Sequence, residues 1–435
     1  MSSEWKSTTL GDVSTQVDYG YTASATHVNT GSRFLRITDI QDGVVDWRQV
    51  PYCEIDGASR GKYLLHQGDI VVARTGNSTG ENFLYQGGEE AVFASYLIRF
   101  RVDASLVDPG YVWRCMRSSS WWNFIDGSKT GSAQAGANAK VLGLFEFEYP
   151  TLPEQKAIAH ILGTLDDKIE LNRKTNETLE AIAKALFKSW FVDFDPVRAK
   201  AEGRPTGLPA EISDLFPDSF EESELGEIPR GWKFTSMYDL ADYINGASHS
   251  SEHLNHERRG LPVIKIAELK NGISDQTKHW DSEYNQKHLV VEGDVLFSWS
   301  GNPDTSIGTF VWGKERGLLN QHIFKVVPKV QANRSFILLL LKQSQTLFAD
   351  IARDKQTTGL GHVTVKDLKE SYCSLPGNQL LSAYACIADS LVYQCQALAL
   401  QNEALKNIRN ALLPKLISGE IRIPDAEKVV EDVGI

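Results

Sequence analysis

The sequence predicts an α+β protein in which two similar α/β domains follow one another, each leading into a long helix. Three observations support this prediction. The chain has 435 residues, which is too long for one ordinary domain. A series of strand-like motifs occurs twice in the same order, and each series is followed by a helical pattern with heptad spacing. We expect the two helices to pair as an antiparallel intramolecular coiled coil, giving a pseudo-twofold, quasi-circular arrangement of the two domains.

The composition is typical of a soluble globular protein, and we expect this protein to stay in the cytoplasm. Apolar residues make up 42% of the chain, and no run of about 18 apolar residues is present to span a bilayer. The N-terminus lacks the basic and apolar segments of a signal peptide. Five cysteines form no Cys-x-x-Cys pair, which favours reduced thiols over disulfides or a zinc site.

The net charge of −11 argues at first against a nucleic-acid partner. Its distribution changes that interpretation. Residues 201–230 carry eight acids and two bases, and residues 420–435 carry five acids and two bases. Only two of the eleven net negative charges remain for the rest of the chain, which leaves room for local basic surfaces.

The repeat indicates a tandem duplication of a unit of roughly 220 residues, too long for a solenoid. Its motifs recur at offsets of 223 to 229 positions, as expected when loops differ in length and cores agree. The matching motifs are RITDIQDG (36–43) with KIAELKNG (265–272), QGDIVV (67–72) with EGDVLF (292–297), ASYLIRF (94–100) with NQHIFKV (320–326), and 140–142 with 366–368.

Each helix has a seam that advances by alternating steps of four and three residues. The seam positions are Ile158, Leu162, Leu165, Ile169, Asn172, Asn176, Leu179, Ala183, Leu186 and Trp190 in the first helix, and Leu381, Tyr384, Ala388, Leu391, Cys395, Leu398, Asn402, Leu405, Arg409 and Leu412 in the second. Asn176 and Asn402 are equivalent, and a buried amide favours the register that gives it a partner. Either helix could instead pack only on its own domain. A length of about 50 Å argues against that alternative, because it exceeds the width of a small domain.

The chain therefore divides into six segments. The expected segments are a first domain at 1–151, a first spacer helix at 152–195, an acidic Pro-rich linker at 196–230, a second domain at 231–374, a second spacer helix at 375–417 and a tail at 418–435. Pro196 ends the first helix. The tail contains an alternating Glu-Ile-Arg-Ile run that predicts a strand, and we expect the tail to return to the first domain.

Two similar domains at a fixed separation suit duplex DNA, where successive major grooves lie about 34 Å apart. Base edges are read by polar side chains, and other basic groups hold phosphates. Two Gly-rich polar loops qualify in each domain: 73–82 with 127–140, the first loop pair, and 298–306 with 353–366, the second loop pair. The candidate DNA-binding residues are Arg74, Asn77, Lys129, Thr130, Gln134 and Lys140 in the first pair, and Asn302, Lys355, Gln356, Thr357, His362 and Lys366 in the second. Gly-Asn, Ser and Thr are also ordinary turn formers, which is the structural alternative.

Three further stretches carry a family resemblance. They are KALFKSWFVDFDPVRAKAEG (184–203), GLPAEISDLFPDSFEESELGEIPRGW (207–232) and LLPKLISGEIRIP (412–424), and with LPEQKAIAHILGTLDDKIELN (152–172) they resemble the specificity subunit of type I restriction-modification systems. The resemblance extends over the whole chain. It departs from the family pattern at Leu375–Gln379 (LPGNQ), where the first helix begins with LPEQK.

The resemblance implies two target recognition domains that each read one half of a split site in double-stranded DNA. It also implies that the helices space these domains and dock two methyltransferase (modification) subunits, with motor-nuclease (restriction) subunits joining for cleavage. The chain is then not an enzyme. We expect it to bind no cofactor, metal or membrane itself, with S-adenosylmethionine, ATP and magnesium on the partner subunits.

The motifs agree with a non-catalytic role, since no phosphate-binding loop or N/D-P-P-aromatic tetrapeptide is present. A nuclease site pairing Asp304 with Asp367 and Lys369, and a metal site at His249, His253 and His256, are the weaker alternatives. An independent regulator that binds a bipartite DNA site is the other function left open. At the end of the first helix, Trp190, Phe191 and Phe194 either pack in a core or bind a partner subunit.

Overall fold

A computed structural model describes residues 5–41, 43–128, 137–224, 226–330, 334–356, 359–432 and 434. The chain divides into two compact units, residues 1–170 with 403–435 and residues 171–402. We call these the first and second unit. Within the described ranges, no helix combines the length and apolar composition that a bilayer span requires.

In the residues that the structure describes, the first unit begins with ten strands and four α-helices. The strands are β1 (Lys6–Thr9), β2 (Ser14–Tyr19), β3 (Arg33–Leu35), β4 (Ile40–Gln41), β5 (Val44–Val45), β6 (Ile70–Ala73), β7 (Asn82–Leu84), β8 (Ala91–Phe93), β9 (Leu97–Val102) and β10 (Glu146–Tyr149), and the helices are α1 (Gly57–Tyr63), α2 (Pro109–Cys115), α3 (Ser119–Ser128) and α4 (Ala139–Leu142).

The main sheet of this unit is antiparallel, with the strand order β2-β9-β6-β7. Strand β3 pairs in parallel with β8, and β1 pairs with β10. The buried run Ile70–Ala73 forms a central strand because all four side chains are apolar and packed.

The first long helix and the segment after it come next in the chain. These elements are α5 (Leu152–Phe191), α6 (Asp195–Ala201), α7 (Ala210–Ser213), β11 (Phe220–Ser223) and β12 (Gly226–Pro229). The chain turns at Phe194, whose φ of 57° is left-handed. Pro196 lies in the first turn of α6, where a backbone N–H would have no hydrogen-bond partner within the helix. Val197 and Phe216 are buried in the core of the second unit, so this segment is folded onto that unit.

The strands of the second unit are β13 (Lys233–Ser236), β14 (Ala241–Asn245), β15 (Leu254–Asn255), β16 (Leu261–Ile264), β17 (His279–Trp280), β18 (Leu289–Val290), β19 (Val295–Ser298), β20 (Ser300–Gly301), β21 (Gly308–Val311), β22 (Gly317–Leu319), β23 (Ile323–Pro328), β24 (Gly361–His362) and β25 (Tyr372–Leu375). The helices α8 (Ile266–Asn271), α9 (Arg334–Gln343), α10 (Gln345–Asp354) and α11 (Val365–Glu370) precede α12 (Asn378–Ile417) and α13 (Ile423–Glu431). The main sheet has the strand order β14-β23-β19-β21, which repeats the order of the main sheet in the first unit.

The predicted duplication is confirmed by pairs of strands that correspond between the two units. The parallel pair β16 and β22 corresponds to β3 and β8, and the pair β13 and β25 corresponds to β1 and β10. The motif pair at 36–43 and 265–272 also has a common local structure. In each copy a short helical turn begins after a basic residue whose backbone N–H donates to an acid three residues on, Asp39 or Glu268.

A close backbone approach recurs at one glycine in each unit. A Cβ atom at Gly20 would lie 2.2 Å from the carbonyl oxygen of Ala94, and one at Gly246 would lie 2.1 Å from that of Asn320. The residues that follow, Tyr21 and Ala247, pair in parallel with these two partners. Only glycine fits where a bare backbone runs this close to another chain segment.

In the first unit, the N-terminal half of α5 packs against the C-terminal part of α12. Leu162, Leu165, Leu405 and Leu412 belong to one buried cluster. Asp166 on α5 accepts a hydrogen bond of 2.7 Å from Arg409 on α12. The seam position of Arg409 is thus occupied by an ion pair with Asp166.

In the second unit, the remaining halves of the two helices pack in the same antiparallel sense. The Asn172 amide donates to Asn402 Oδ1 at 2.9 Å and to Gln401 Oε1 at 2.8 Å. Further along α5, Asn176 lies opposite Cys395 on α12, with 4.0 Å between the Asn176 carbonyl oxygen and Cys395 Sγ. Increasing numbers on α5 therefore meet decreasing numbers on α12, which confirms the antiparallel pairing. Asn402 thus accepts a hydrogen bond from Asn172, one seam position before Asn176.

The tail corrects one prediction and confirms another. Residues 420–422 form no strand, and Ile423–Glu431 forms α13 instead. Alternation over four residues is a short signal, and Pro424 in the first turn favours a helix. Ala426 and Val430 are buried in the cluster of the first unit, so the tail does pack there.

Trp190 and Phe191 are buried in the core of the second unit, with 2% and 5% of their surface exposed. Their rings contact Tyr384, at centroid distances of 5.7 and 4.7 Å. Phe194 is half-buried and packs on Trp232 at 5.7 Å. This burial favours the core-packing interpretation over a partner-binding patch, because the first two rings have almost no surface left for a partner to contact.

Candidate nucleic-acid interface

The structure brings together the two loops of each predicted loop pair. In the first pair the Ala137 N–H donates to the Arg74 carbonyl oxygen at 2.9 Å. In the second pair the Val363 N–H donates to the Trp299 carbonyl oxygen at 2.8 Å, and β20 pairs with β24. Each unit therefore presents one composite surface made of two loops.

Arg74 is a cation of the first loop pair whose side chain is held in a defined position. Its Nε donates to the Ser95 carbonyl oxygen at 3.1 Å, and its guanidinium lies 5.1 Å from the centre of the Tyr19 ring. These contacts fix the direction of the side chain without cancelling its charge. Asn77 and Lys140 of the same loop pair are exposed. Lys129, Thr130 and Gln134 lie outside the described residues.

Two tyrosines at this surface were missed by sequence reasoning. Tyr19 is 43% exposed, and its hydroxyl accepts a hydrogen bond of 3.1 Å from the Ala139 N–H. Tyr96 is 58% exposed, and its carbonyl oxygen accepts from the Arg74 N–H at 3.1 Å. The signal for Tyr19 was the alternation of β2, which places this ring on the solvent side of an edge strand.

Asn302 and His362 in the second loop pair hold the loops in shape. Asn302 Oδ1 accepts hydrogen bonds from the N–H groups of Asp304 and Thr305, at 3.0 and 3.1 Å. This arrangement is the turn-forming alternative for an Asn. His362 pairs with Ser300 across the two strands. Gln356 and Lys366 are exposed, and Thr357 lies outside the described residues.

Lys355 is tied to an acid on the neighbouring helix. Its Nζ donates to Asp367 Oδ1 at 2.5 Å and to Oδ2 at 2.6 Å. The Asp367 carboxylate also accepts from the Thr364 N–H and hydroxyl, at 2.7 and 2.6 Å. The charge of Lys355 is thus compensated within the protein. A contact between Lys355 and DNA stays a prediction. The hydrogen bonds to Asp367 show that Lys355 stabilises the shape of the loop.

The Asp367 contacts predict an acid-sensitive second unit. Burial alone raises the pKa of Asp367, but hydrogen bonds from Lys355 and Thr364 outweigh it and hold this pKa below its ordinary value of 3.8. A carboxylate with a lowered folded-state pKa stabilises the protein above the unfolded-state pKa, and this stabilisation is lost as the pH falls through the folded value. We expect Asp367→Asn to lower the melting temperature at pH 7 and the gap to wild type to close below about pH 4.

Thermal unfolding from pH 7 to pH 3 measures that gap. Glu370→Gln is the matched control on the same helix, since its ion pair with Lys366 spans 3.6 Å between side chains that are 61% and 79% exposed. The control should differ little from wild type throughout. A gap for Asp367→Asn that stays constant with pH contradicts the assignment.

Four of the residues considered for metal chemistry contact other side chains. Asp304 and Asp367 are ion-paired with Arg353 and Lys355. His249 and His253 pack against the Trp280 ring, with centroids 5.0 and 5.3 Å apart. Burial, together with the nearby His288 and Lys265, lowers the pKa of His249. Among the residues that the structure describes, no group of three or more His, Cys, Asp or Glu is arranged to hold a metal ion.

Comparison with known proteins gives consistent matches. Among curated proteins, the chain is similar to the HindI specificity subunit of Haemophilus influenzae, with 25% identity over 96% of this chain and 100% of that protein. It is also similar to the MjaIX specificity subunit of Methanocaldococcus jannaschii, with 24% identity over 87% of this chain and 82% of that protein. Both are described as type I restriction enzyme subunits.

A solved structure shares the fold. The type I restriction-modification S subunit from M. genitalium superposes with a TM-score of 0.61 at 14% identity, covering 95% of this chain and 96% of that one. The family model described as type I restriction modification DNA specificity domain matches residues 2–181 and 229–379. Because this model covers both copies of the repeat and well over half of the sequence, the chain belongs to the type I restriction-modification DNA specificity family.

Proposed function

We propose that this chain is the specificity subunit that recognises a bipartite, asymmetric DNA target and directs methyltransferase and restriction subunits to it. One observation supports the proposal above the others: the same composite of two polar loops is built twice in one chain, on the same strand topology. Two similar readers suit a split site. Because their side chains differ, the two half-sites are expected to differ in sequence.

The paired long helices supply the rest of the proposal. Each has 40 residues, or about 60 Å at 1.5 Å per residue. Each helix contributes residues to both units, so we expect the two readers to act together on one bipartite site. Their exposed surfaces offer a docking place for two methyltransferase subunits, and we expect motor-nuclease subunits to join that assembly.

The proposed role is non-catalytic. The polar residues of the loops serve to form turns, compensate charge or meet DNA, and we assign none of them to bond breaking. S-adenosylmethionine, ATP and magnesium are then expected on the partner subunits, and the assembly works in the cytoplasm, where its DNA lies. The alternative, an independent regulator, predicts tight binding to a split site without methyltransferase partners.

The methylation pattern of a host tests the proposal. Cells that express the chain together with its methyltransferase partner should acquire one modified bipartite motif that is absent when the chain is omitted. Arg74→Gln should weaken methylation of that motif by roughly tenfold, the equivalent of 1.4 kcal/mol, as expected for a lost contact to a base or phosphate. Arg48→Gln is the matched control, because Arg48 is an arginine of the same unit that is 71% exposed and pairs with Asp46. A host methylome that does not change with the chain contradicts the proposal.

A further inference from the structure

Arg353 joins the two loops of the second loop pair by an ion pair that sequence reasoning did not anticipate. It lies near the C-terminal end of α10 and donates from Nη2 to Asp304 Oδ1 at 2.7 Å. Its Nη1 donates to Asp350 Oδ1 at 2.5 Å on the same helix. The guanidinium is therefore held between a carboxylate of its own helix and a carboxylate of the opposite loop.

The pair lies at the surface, where DNA can reach it. The side chains of Arg353 and Asp304 are 48% and 70% exposed. The turn at 302–306 holds Asp304 in place, since Asn302 Oδ1 accepts from the Asp304 N–H at 3.0 Å. An exposed ion pair of this kind adds little stability, typically below about 1 kcal/mol. Stability alone is thus a weak reason for placing an acid in this loop.

The first loop pair has a different arrangement. Aligning Gly76-Asn77 with Gly301-Asn302 places Thr79 opposite Asp304. The Thr79 hydroxyl is buried and donates to the Gly76 carbonyl oxygen at 2.7 Å. One cation of that surface, Arg74, is held by a carbonyl group and a ring rather than by an acid.

An acid beside a potential DNA-binding arginine acts in two ways on DNA affinity. It repels phosphates, and it competes with them for the guanidinium. Both effects lower the affinity for every DNA sequence. A correctly placed guanine offsets the loss, because it accepts two hydrogen bonds from the arginine once the ion pair has opened. The affinity for incorrect sequences is therefore lowered more than the affinity for the correct one, which increases discrimination.

We propose that Asp304 is a specificity-determining residue, which restrains Arg353 until the correct half-site displaces it. The inference rests on the proposed function, because it requires the second loop pair to face DNA. Arg353 is a DNA-contacting residue in this scheme, and Asp304 and Asp350 position it. The first loop pair lacks the equivalent acid, so the restraint belongs to one half-site.

The test compares binding of full-length chain, assembled with its methyltransferase partner, to two duplexes. One carries the methylated motif found in the host, and the other carries a scrambled second half-site. Asp304→Asn removes one negative charge and should tighten binding to the scrambled duplex about fivefold. It should also steepen the salt dependence of that binding by about one phosphate contact, a slope change near 0.9. The preference for the correct duplex should fall.

Glu202→Gln is the control for net charge, because it also removes one negative charge from an exposed pair, 2.6 Å from Arg204 in the segment between the repeats. It should change binding to the scrambled duplex less than twofold. The double variant Asp304→Asn with Arg353→Gln should not bind the scrambled duplex more tightly than wild type, because the arginine that Asp304→Asn releases is then absent.

Two results overturn the inference. The first is an Asp304→Asn protein that binds the scrambled duplex no more tightly than Glu202→Gln. The second is a gain that persists in the double variant, because repulsion alone then explains it. Asp304→Ser repeats the test with a different side chain, and melting temperatures confirm folding. Failure of the wild-type assembly to prefer the host motif is a separate outcome, which refutes the proposed function itself.

Discussion

Alanine at Gly246 is expected to destabilise the second unit by about 3 kcal/mol, the upper part of the range for overpacked sites. The new Cβ would lie 2.1 Å from the Asn320 oxygen and 2.5 Å from the Leu319 oxygen. Both are backbone atoms that hydrogen bonds hold in place, since the Ala247 N–H donates to Leu319 at 2.9 Å and the Asn320 N–H donates to Ile264 at 3.1 Å. The neighbour cannot move aside without breaking the parallel pairing of β16 with β22.

Urea unfolding and hydrogen exchange of the 319–320 backbone measure this effect. Gly20→Ala tests the equivalent position of the first unit and should behave alike, with its Cβ 2.2 Å from the Ala94 oxygen. Gly61→Ala is the matched control: apart from its chain neighbours and the backbone of its own helix, no described atom lies within 4 Å of the new Cβ. Alanine inside helix α1 should add about 0.5–1 kcal/mol of stability. Equal stability of Gly61→Ala and Gly246→Ala would rule out the steric explanation.

The second large effect is expected at Asp166, which receives hydrogen bonds from two arginines. Arg114 is 7% exposed and donates from Nη1, and Arg409 donates at 2.7 Å. Burial lowers the pKa of Arg114, and the charge of Asp166 opposes that change. Asp166→Asn leaves a buried guanidinium without its counter-ion. The expected loss is about 3 kcal/mol, the lower end of the range for broken buried pairs, because Asp166 is 26% exposed.

The loss should appear as a lower urea midpoint of the first unit. Asp167→Asn, one residue further on an exposed face of α5, is the control and should shift the midpoint little. Arg114→Met combined with Asp166→Asn should recover part of the loss, because it removes the unpaired charge and keeps the volume filled. If the double variant is no more stable than Asp166→Asn, the ion-pair explanation is wrong.

The repeated architecture was predictable because it rests on signals that extend over many residues. The motifs at 67–72 and 292–297 became β6 and β19, and the heptad seam placed Leu162, Leu165, Leu405 and Leu412 in one cluster. Hydrophobic periodicity over about 40 residues leaves few alternatives to a paired helix. Local structure that departs from the sequence pattern, by contrast, depends on contacts with residues that are distant in sequence.

Three outcomes illustrate this second class. The Glu-Ile-Arg-Ile run does not form the predicted strand, and α13 begins at its last residue. The tail is helical there because a helix buries Ala426 and Val430 in the cluster of the first unit. Asn402 is hydrogen-bonded to Asn172, because the register of the two helices depends on side-chain packing along the whole seam. Lys355 is compensated by Asp367, although no motif pairs these two residues. The positions of the polar loops were predictable from the sequence. The ion-pair partner of each charged side chain became known only from the fold.

The composition of the first unit has a consequence for synthesis on the ribosome. Its core includes Leu405, Leu412 and Leu416 together with side chains from the beginning of the chain. The intervening residues 171–402 form the other unit. At roughly 5–20 residues per second, their translation takes on the order of 10–50 s. The unit made from the earliest residues is therefore the last to close its core, and until then its unfinished apolar surface is a natural target for chaperones.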